Sequence, residues 1–305
     1  MPTVSIRFWL KDLNGSVMSN QPTIVVVGSV NLDLVASVEK LPVAGETVTG
    51  ASLSQFPGGK GANQALAARR LGADVFLVAR VGADANADEA LALLSEGGVN
   101  LEQCVRDDTA PTGIALIAVA ASGENQIVVA PGANRQLKPE DCTLPKADAL
   151  ICQLEVPVDS ILCAISAFTG IVSINLAPAL DVPDALISAA DLVVVNETEA
   201  AFYGSRLDGA TLLATTYGAE GAVLTQAGKE VARSKPGTTQ AIDTTGAGDT
   251  FTAALTLAIV EKMQMQDALD FACTAAAIAT TKQGAQPSLP FRSEEDALMV
   301  RIDHE

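Results

Sequence analysis

The segment Asp243-Thr244-Thr245-Gly246-Ala247-Gly248-Asp249-Thr250-Phe251 sets two glycines and a carboxylate at the mouth of a long apolar run. Glycines let successive backbone N–H groups converge on one point. A helix starting there adds its unpaired N–H groups and the positive end of its dipole. Such a point attracts phosphate, and donors at Gly246, Ala247 and Gly248 can stabilise the charge on a phosphoryl group in transit. Asp249, in the first turn, has two readings: a cap that satisfies N–H groups, or a general base that takes the proton of an attacking alcohol. The second reading makes the segment a phosphotransfer site, because base and anion hole are adjacent.

Composition narrows what else could act. The single histidine, His304, is the penultimate residue, so imidazole catalysis and His-rich metal sites are excluded and any general base must be a carboxylate. Five cysteines, Cys104, Cys142, Cys152, Cys163 and Cys273, are odd in number and form no CxxC pair, so they read as reduced thiols of a cytoplasmic protein. No GxxxxGK[ST] occurs and no GxGxxG follows the first strand, which removes the P-loop and dinucleotide-fold readings. A formal charge of -17 argues against nucleic acid and anionic membrane surfaces as partners. An anionic small ligand must then be held by backbone N–H groups, a few placed cations and metal.

These groups need a scaffold. The 305 residues are 49% hydrophobic but only 4% aromatic, which suits buried parallel strands covered by small-residue helices. Ile24-Val25-Val26-Val27 running into Gly28 predicts a strand buried on both faces. Further strands over 75–81, 150–154, 171–176 and 192–195 alternate with helices over 62–71, 84–94, 160–168 and 183–190, the rhythm of a parallel sheet. Residues 222–225 and 230–234 predict two more strands, and helices over 247–262, 267–282 and 293–303 end the chain. Alternating stretches from about 34–56 and 113–130 predict a small separate lid sheet inserted into one domain, 22–305. Residues 1–21, with Met18 just ahead of the first strand, read as a poorly ordered N-terminal extension, and no apolar run is long enough to span a membrane.

Open parallel sheets bind ligands beyond the carboxyl ends of their strands, where several polar motifs fall. Asn31 and Asp33 follow the first strand, alternate, and can point one way; a turn held by Asx bonds is the other reading. Pro57-Gly58-Gly59-Lys60-Gly61-Ala62-Asn63-Gln64-Ala65 joins a bare backbone at Gly59 to two donors, Lys60 and Asn63, with a Gly-rich helix cap as the alternative. Gln153-Leu154-Glu155 closes another strand. Asn196 and Glu199 follow strand 192–195 and could equally be an N-cap with its capping box. Thr216-Tyr217-Gly218-Ala219-Glu220-Gly221 and Lys282-Gln283-Gly284-Ala285-Gln286-Pro287-Ser288 are, on local evidence, loops.

Taken in order, from about residue 23 to residue 301, these segments resemble the signatures of the PfkB-type, or ribokinase-like, carbohydrate kinase family. The resemblance implies a three-layer α/β fold, with a mainly parallel central sheet flanked by helices and a small β-sheet lid. It implies transfer of the γ-phosphate of ATP to the terminal 5-hydroxyl of D-ribose, with Asp249 as base and Gly246, Ala247 and Gly248 as anion hole. Asn31, Asp33, Gly59, Lys60, Asn63, Glu155 and Asp249 would then meet the sugar. Asn196, Glu199, Thr216, Gly218, Gly221 and Gly248 would serve the nucleotide, Glu199 reaching Mg2+ through water. Asp243, Thr245, Ala279, Lys282, Gly284 and Ser288 match family positions that hold a monovalent cation, usually K+, largely through carbonyls. The lid edges imply a homodimer in which two lids pair.

Two departures from the family pattern bear on the nucleotide side. The family normally carries a fuller αβ unit between the Asn-x-x-Glu helix and the nucleotide loop; here only 204–215 connect them, which implies a missing flanking helix and an exposed sheet edge. Cys273 stands where relatives often carry a polar residue near adenine. A kinase of deoxyribose, another sugar or a nucleoside, and a non-catalytic sugar-binding homologue, stay open on the sequence alone.

Overall fold

Ile24, Val25, Val26 and Val27 have no solvent exposure, because the strand they form, β1 (Thr23–Val27), is paired on both edges and covered on both faces. The computed structural model describes residues 21–237 and 239–296. The expected disorder of 1–21 therefore falls, up to residue 20, outside the described residues, as does the expected last helix beyond 296.

From β1 the chain runs through β2 (Asn31–Val38), β3 (Ser52–Gly58), α1 (Lys60–Arg70), β4 (Asp74–Gly82), α2 (Ala85–Glu96), β5 (Cys104–Asp107), β6 (Gly113–Ala120) and β7 (Asn125–Ala130). It continues with β8 (Ala149–Gln153), α3 (Val158–Ala167), β9 (Ile171–Asn175), α4 (Asp184–Ser188), β10 (Leu192–Asn196), α5 (Glu197–Tyr203) and β11 (Leu212–Thr216). Strands β12 (Ala222–Gln226) and β13 (Lys229–Ser234) precede helices α6 (Ala247–Val260), α7 (Met265–Ala279) and α8 (Ala285–Ser288).

Nine strands form the main sheet in the order β13-β12-β11-β10-β9-β8-β1-β4-β5. Neighbours from β5 to β11 are parallel, and only β12 and β13 pair antiparallel. One face packs on α1, α2, α6 and α7, the other on α3, α4 and α5, so each core strand is apolar on both sides and no alternation is seen in it. The architecture is three-layered α/β/α, as expected. Helix α6 is buried from Asp249 to Ala258, lying between the sheet, α1 and α7. Small residues permit that approach, and the hydroxyls of Thr250, Thr252 and Thr256 are satisfied by donation to Gly246 O, Gly248 O and Thr252 O at 2.8, 2.9 and 2.7 Å.

The second sheet, β3-β2-β6-β7, is separate. Its strand β2 begins at Asn31, pairing there with Gly58 and Gly113, so Asn31 and Asp33 stand at the root of the lid and not on the end of β1. Gly28-Ser29-Val30 is the crossing point between the sheets. Two strands were not anticipated, β5 and β11. Residues 204–215, read as a bare connection, hold a 3-10 turn over Gly204–Gly209 and then β11 in parallel register with β10. No further α-helix lies between α5 and β11, and the outer strand β13 leaves Val231 40% exposed.

Candidate active site

Helix α6 opens at Gly246, whose φ of 81° is left-handed and favours glycine, and a Cβ there would lie 3.2 Å from Ala285. The turn is held from behind by Asp243. Its Oδ1 accepts from Thr245 N and Oγ1 at 2.9 and 2.6 Å, and its Oδ2 accepts from Gly284 N at 2.9 Å, tying the turn to the C-terminal loop. Gly246 and Gly248 line the cavity in front; Ala247 does not, and its N–H donates to Thr244 O at 3.2 Å.

Asp249 is only 6% exposed and faces that same cavity. Its oxygens accept from side-chain amides, Oδ2 from Asn63 Nδ2 at 2.8 Å and Oδ1 from Gln64 Nε2 at 3.0 Å. No bond to the backbone of α6 competes, so the capping alternative fails and a carboxylate is left beside the glycine turn. Burial raises its pKa; Lys60 and the two amides oppose this and Glu155 adds to it, with a net rise.

Helix α1 supplies the facing wall. Lys60, Asn63 and Gln64 are spaced i, i+3, i+4 and share one face. The helix starts at Gly59, where φ is 91° and a Cβ would meet Asn31 N at 2.7 Å, so only glycine lets the lid root and the helix start touch. Burial alone would pull the Lys60 ammonium down, but Asp249, Glu155, Glu199 and Asp33 outweigh it and hold it above its usual range. Glu155, just past β8, accepts from Ser29 Oγ at 2.5 Å and Lys60 N at 3.2 Å. Asp33 is pushed up to about 7 by burial and by the charges of Glu155, Asp249 and Asp243, with Lys60 opposing. Asn31 Oδ1 accepts from Asn134 Nδ2 at 2.8 Å.

One cavity of about 390 Å³ joins these groups. Asn31, Asp33, Gly59, Lys60, Asn63, Glu155 and Asp249 line one end, under lid residues Ala115, Ile117, Ile127 and Val129. Asn196, Glu199, Thr216, Thr245, Gly246 and Gly248 line the other. Asn196 and Glu199 do form a capping box, Asn196 Oδ1 accepting from Glu199 N at 2.9 Å and Glu199 Oε2 from Asn196 N at 2.8 Å, yet both also face the cavity. Burial raises the Glu199 pKa against the Asn196 N–H and Lys60.

The remaining expected residues lie outside the cavity wall. Gly218 and Gly221 belong to the turn between β11 and β12, and Gly221 has φ 89° with a Cβ position 2.0 Å from Ser234 O, so the turn itself requires it. Ala279, Lys282, Gly284 and Ser288 sit with Asp243 behind the turn, none of them lining the cavity. Cys273 is buried against β12 and β13, its thiol pushed up to about 11 by burial.

Sequence reasoning did not select Ser29, Gln64, Asn134, Gln153 or Asn175. Gln64 and Gln153 stood inside quoted motifs, and Asn175 ends a parallel strand, the position where ligands are met. Asn134 carried no signal: it lies in a 3-10 turn and acts by a contact more than a hundred residues away in sequence.

Known proteins resemble this chain in sequence and fold. The chain is 37% identical over 296 residues to the ribokinase of Haemophilus influenzae, covering 89% of this chain and 96% of that one. Among solved structures, the ribokinase of Thermotoga maritima has a TM-score of 0.83 at 32% identity, covering 92% of this chain and 99% of its own. The Arabidopsis thaliana ribokinase complexed with ribose and ATP has a TM-score of 0.80 at 30% identity, covering 91% and 98%. The glycine turn, its carboxylate and the lid root all fall within residues 21–292, the span that matches the pfkB family carbohydrate kinase, and the chain belongs to that family.

Proposed function

We infer that this enzyme transfers the γ-phosphoryl group of ATP to the 5-hydroxyl of D-ribose, giving ribose 5-phosphate. The observation that carries the reading is Asp249, a buried carboxylate aimed into a cavity whose wall is also the glycine-bounded start of α6. Ribokinases similar over nearly the whole chain support the choice of substrate, one of them in complex with ribose and ATP.

In the mechanism, Asn31, Asp33, Lys60, Asn63 and Glu155 bind the sugar hydroxyls with its terminal carbon toward α6. Asp249 accepts the proton of the attacking hydroxyl as the bond to phosphorus forms. The N–H groups of Gly246 and Gly248 stabilise the charge on the phosphoryl oxygens, with that of Ala247 joining if it gives up Thr244. Lid strands β6 and β7 exclude water above the sugar. Thr216 and the turn through Gly218 and Gly221 border the nucleotide.

Two ions complete the proposal. Among the described residues no cluster of three or more carboxylate, cysteine or histidine side chains could hold a metal by itself. That donor set fits Mg2+ carried on the phosphates with water and Glu199 as its outer partner, where it would neutralise phosphate charge. The carbonyls of Thr245, Lys282 and Gly284 accept no hydrogen bond among the described residues, which suits a monovalent cation such as K+ near Asp243, Ala279 and Ser288. That ion would steady the Gly246 turn from behind.

The outer lid face supports a homodimer. Leu116 and Val128 pair across β6 and β7, are 50% and 63% exposed, and point away from the cavity side, leaving an apolar surface for a second lid. Among the described residues no helix is long and apolar enough to cross a membrane, and five free cysteines support a reducing, cytoplasmic setting.

The test is ATP consumption with a panel of ribose, deoxyribose, fructose and adenosine, in K+ and Mg2+. Turnover is expected with ribose, and its loss in Asp249→Asn with ribose binding kept. Turnover of another acceptor without ribose would reject the substrate; ribose binding with no turnover of any acceptor would reject the kinase reading.

A further inference from the structure

The base is held from a place no ligand reaches. Gln64 and Gln153 have no solvent exposure, and neither lines the cavity. Gln64 Nε2 donates to Asp249 Oδ1 at 3.0 Å and to Asn175 Oδ1 at 3.4 Å, while Gln153 Nε2 donates to Gln64 Oε1 at 2.7 Å. The direction of this chain is set from the Asp249 end. A carboxylate only accepts, so Gln64 must present its NH2 group; that turns its carbonyl toward Gln153, which must answer with its own NH2 group. The chain ends at Gln153 Oε1, which has no partner among the described residues. A Cβ on Gly28 would lie 2.0 Å from that oxygen, so the glycine leaves the space the amide fills. An unpaired buried amide oxygen is costly. Here that cost falls at the far end of the chain from the reacting carboxylate.

We propose that Gln64, oriented by Gln153, is a positioning residue for Asp249: it fixes the plane of the carboxylate and favours its proton-accepting form. The proposal rests on reading Asp249 as the base. With Oδ1 held by Gln64 and Oδ2 by Asn63 at 2.8 Å, the carboxylate cannot turn without breaking both bonds. Its remaining lone pairs stay available to the cavity. Asn63 lines the cavity and is available to ligand, whereas Gln64 meets the cavity wall only through Asp249 and, by a longer bond of 3.4 Å, Asn175. The charged groups facing Asp249 are Lys60 from α1, Asp33 from β2, Glu155 after β8 and Glu199 from α5. Among the influences on Asp249, burial raises its proton affinity while the Gln64 bond lowers it.

Gln64→Met keeps the side-chain length and removes the donor. Single-turnover phosphorylation of ribose is expected to slow by about tenfold at pH values on the acid limb and to recover at higher pH, because that limb moves up by about one unit. Ribose Kd by calorimetry should stay within about twofold of wild type, as Gln64 touches no ligand. Gln153→Met should move the limb the same way by less. Gln153→Glu, which accepts but cannot donate, should draw the Gln64 NH2 group to itself and match or exceed the Gln64→Met loss. Asp33, pushed up to about 7, also titrates within the pH scan, but its effect is read in ribose Kd against pH. An unshifted acid limb in folded Gln64→Met overturns the proposal, and so does a pH-independent loss matched by looser ribose. Should Gln64→Met fail to fold by circular dichroism, the two Gln153 variants decide the matter by the same criteria. Wild-type turnover in Asp249→Asn would remove the base itself, a result distinct from an unshifted limb with Asp249 still essential.

Discussion

The two ends of the cavity are built differently. At the end proposed to take the acceptor, the Ser29 crossing, α1, the β8 end and α6 are cross-linked by hydrogen bonds, around a single lysine that faces Asp33, Glu155 and Asp249. At the end proposed for the nucleotide, the Thr216 hydroxyl makes one long bond, to Val195 O at 3.4 Å, and among the described residues the side chains of the turn that follows bond to no cavity-lining residue. The sheet beyond it has no helix between α5 and β11, and its edge strand keeps Val231 partly exposed. A binding site for an uncharged sugar must supply its own polar partners in fixed positions. A site for a polyphosphate can rely on backbone N–H groups and ions, so it tolerates a trimmed border.

That contrast can be broken or sharpened by substitution at either end. Asp249→Asn should lower kcat by about 10²–10⁴-fold, measured by coupled ATP consumption, with ribose Kd little changed. Asp33→Asn should weaken ribose binding by about 10–100-fold in calorimetry, since charge-assisted bonds to sugar hydroxyls are lost.

Acidity acts on the same end through Asp33, and through Glu295 outside the cavity. Asp33, pushed up to about 7, and Glu295, pushed up to about 8 by burial beside Asp296, both bind a proton in the folded state that the unfolded chain lacks above its ordinary carboxylate range. Stability from a raised carboxylate is present at low pH and lost as pH rises through the folded value. The ligand-free protein should therefore gain about 5 kcal/mol between pH 8.5 and pH 5.5 in urea melts, about 2 kcal/mol of it from Asp33. Asp33→Asn should remove its share of that gain and be the more stable protein at pH 8, while binding ribose less well. A flat profile would show that the acceptor end is not under charge strain.

At the other end the effects should shrink. Thr216→Val is expected to raise the KM for ATP by no more than about fivefold with kcat retained, one long, part-buried bond being worth at most about 1 kcal/mol. Val231→Thr on the edge strand should change stability by less than about 0.5 kcal/mol in thermal melts. A large loss from either would mean that the nucleotide border is as tightly built as the sugar site.

Much of this molecule was open to a reader of the sequence. Ile24-Val25-Val26-Val27 could only be a strand covered on both faces, and the repeat of such runs with Ala-rich helices implied one parallel sheet. The Gly246 turn and Asp249 were legible because the chemistry lies in consecutive residues, where spacing alone aims donors and carboxylate at one point. β11 was passed over as a connection, since five residues ending Ala-Thr-Thr give a weak local signal and become a strand through pairing with β10 and β12. Asn31 and Asp33 were read as following the end of the first strand, whereas they open β2 in the lid sheet, because the switch from one sheet to the other at Gly28-Ser29-Val30 is decided by which partners are in reach.

What sequence alone determined, then, was what is local in the chain: element types, a glycine-bounded helix start with a carboxylate in its first turn, and a lone histidine at residue 304. Which amide answers which carboxylate was decided only by the tertiary structure. Gln153, Gln64 and Asp249 are separated by 89 and 185 residues in their pairings, and a hydrogen bond of 2.7 to 3.0 Å depends on distance and direction in space, which spacing along the chain does not encode.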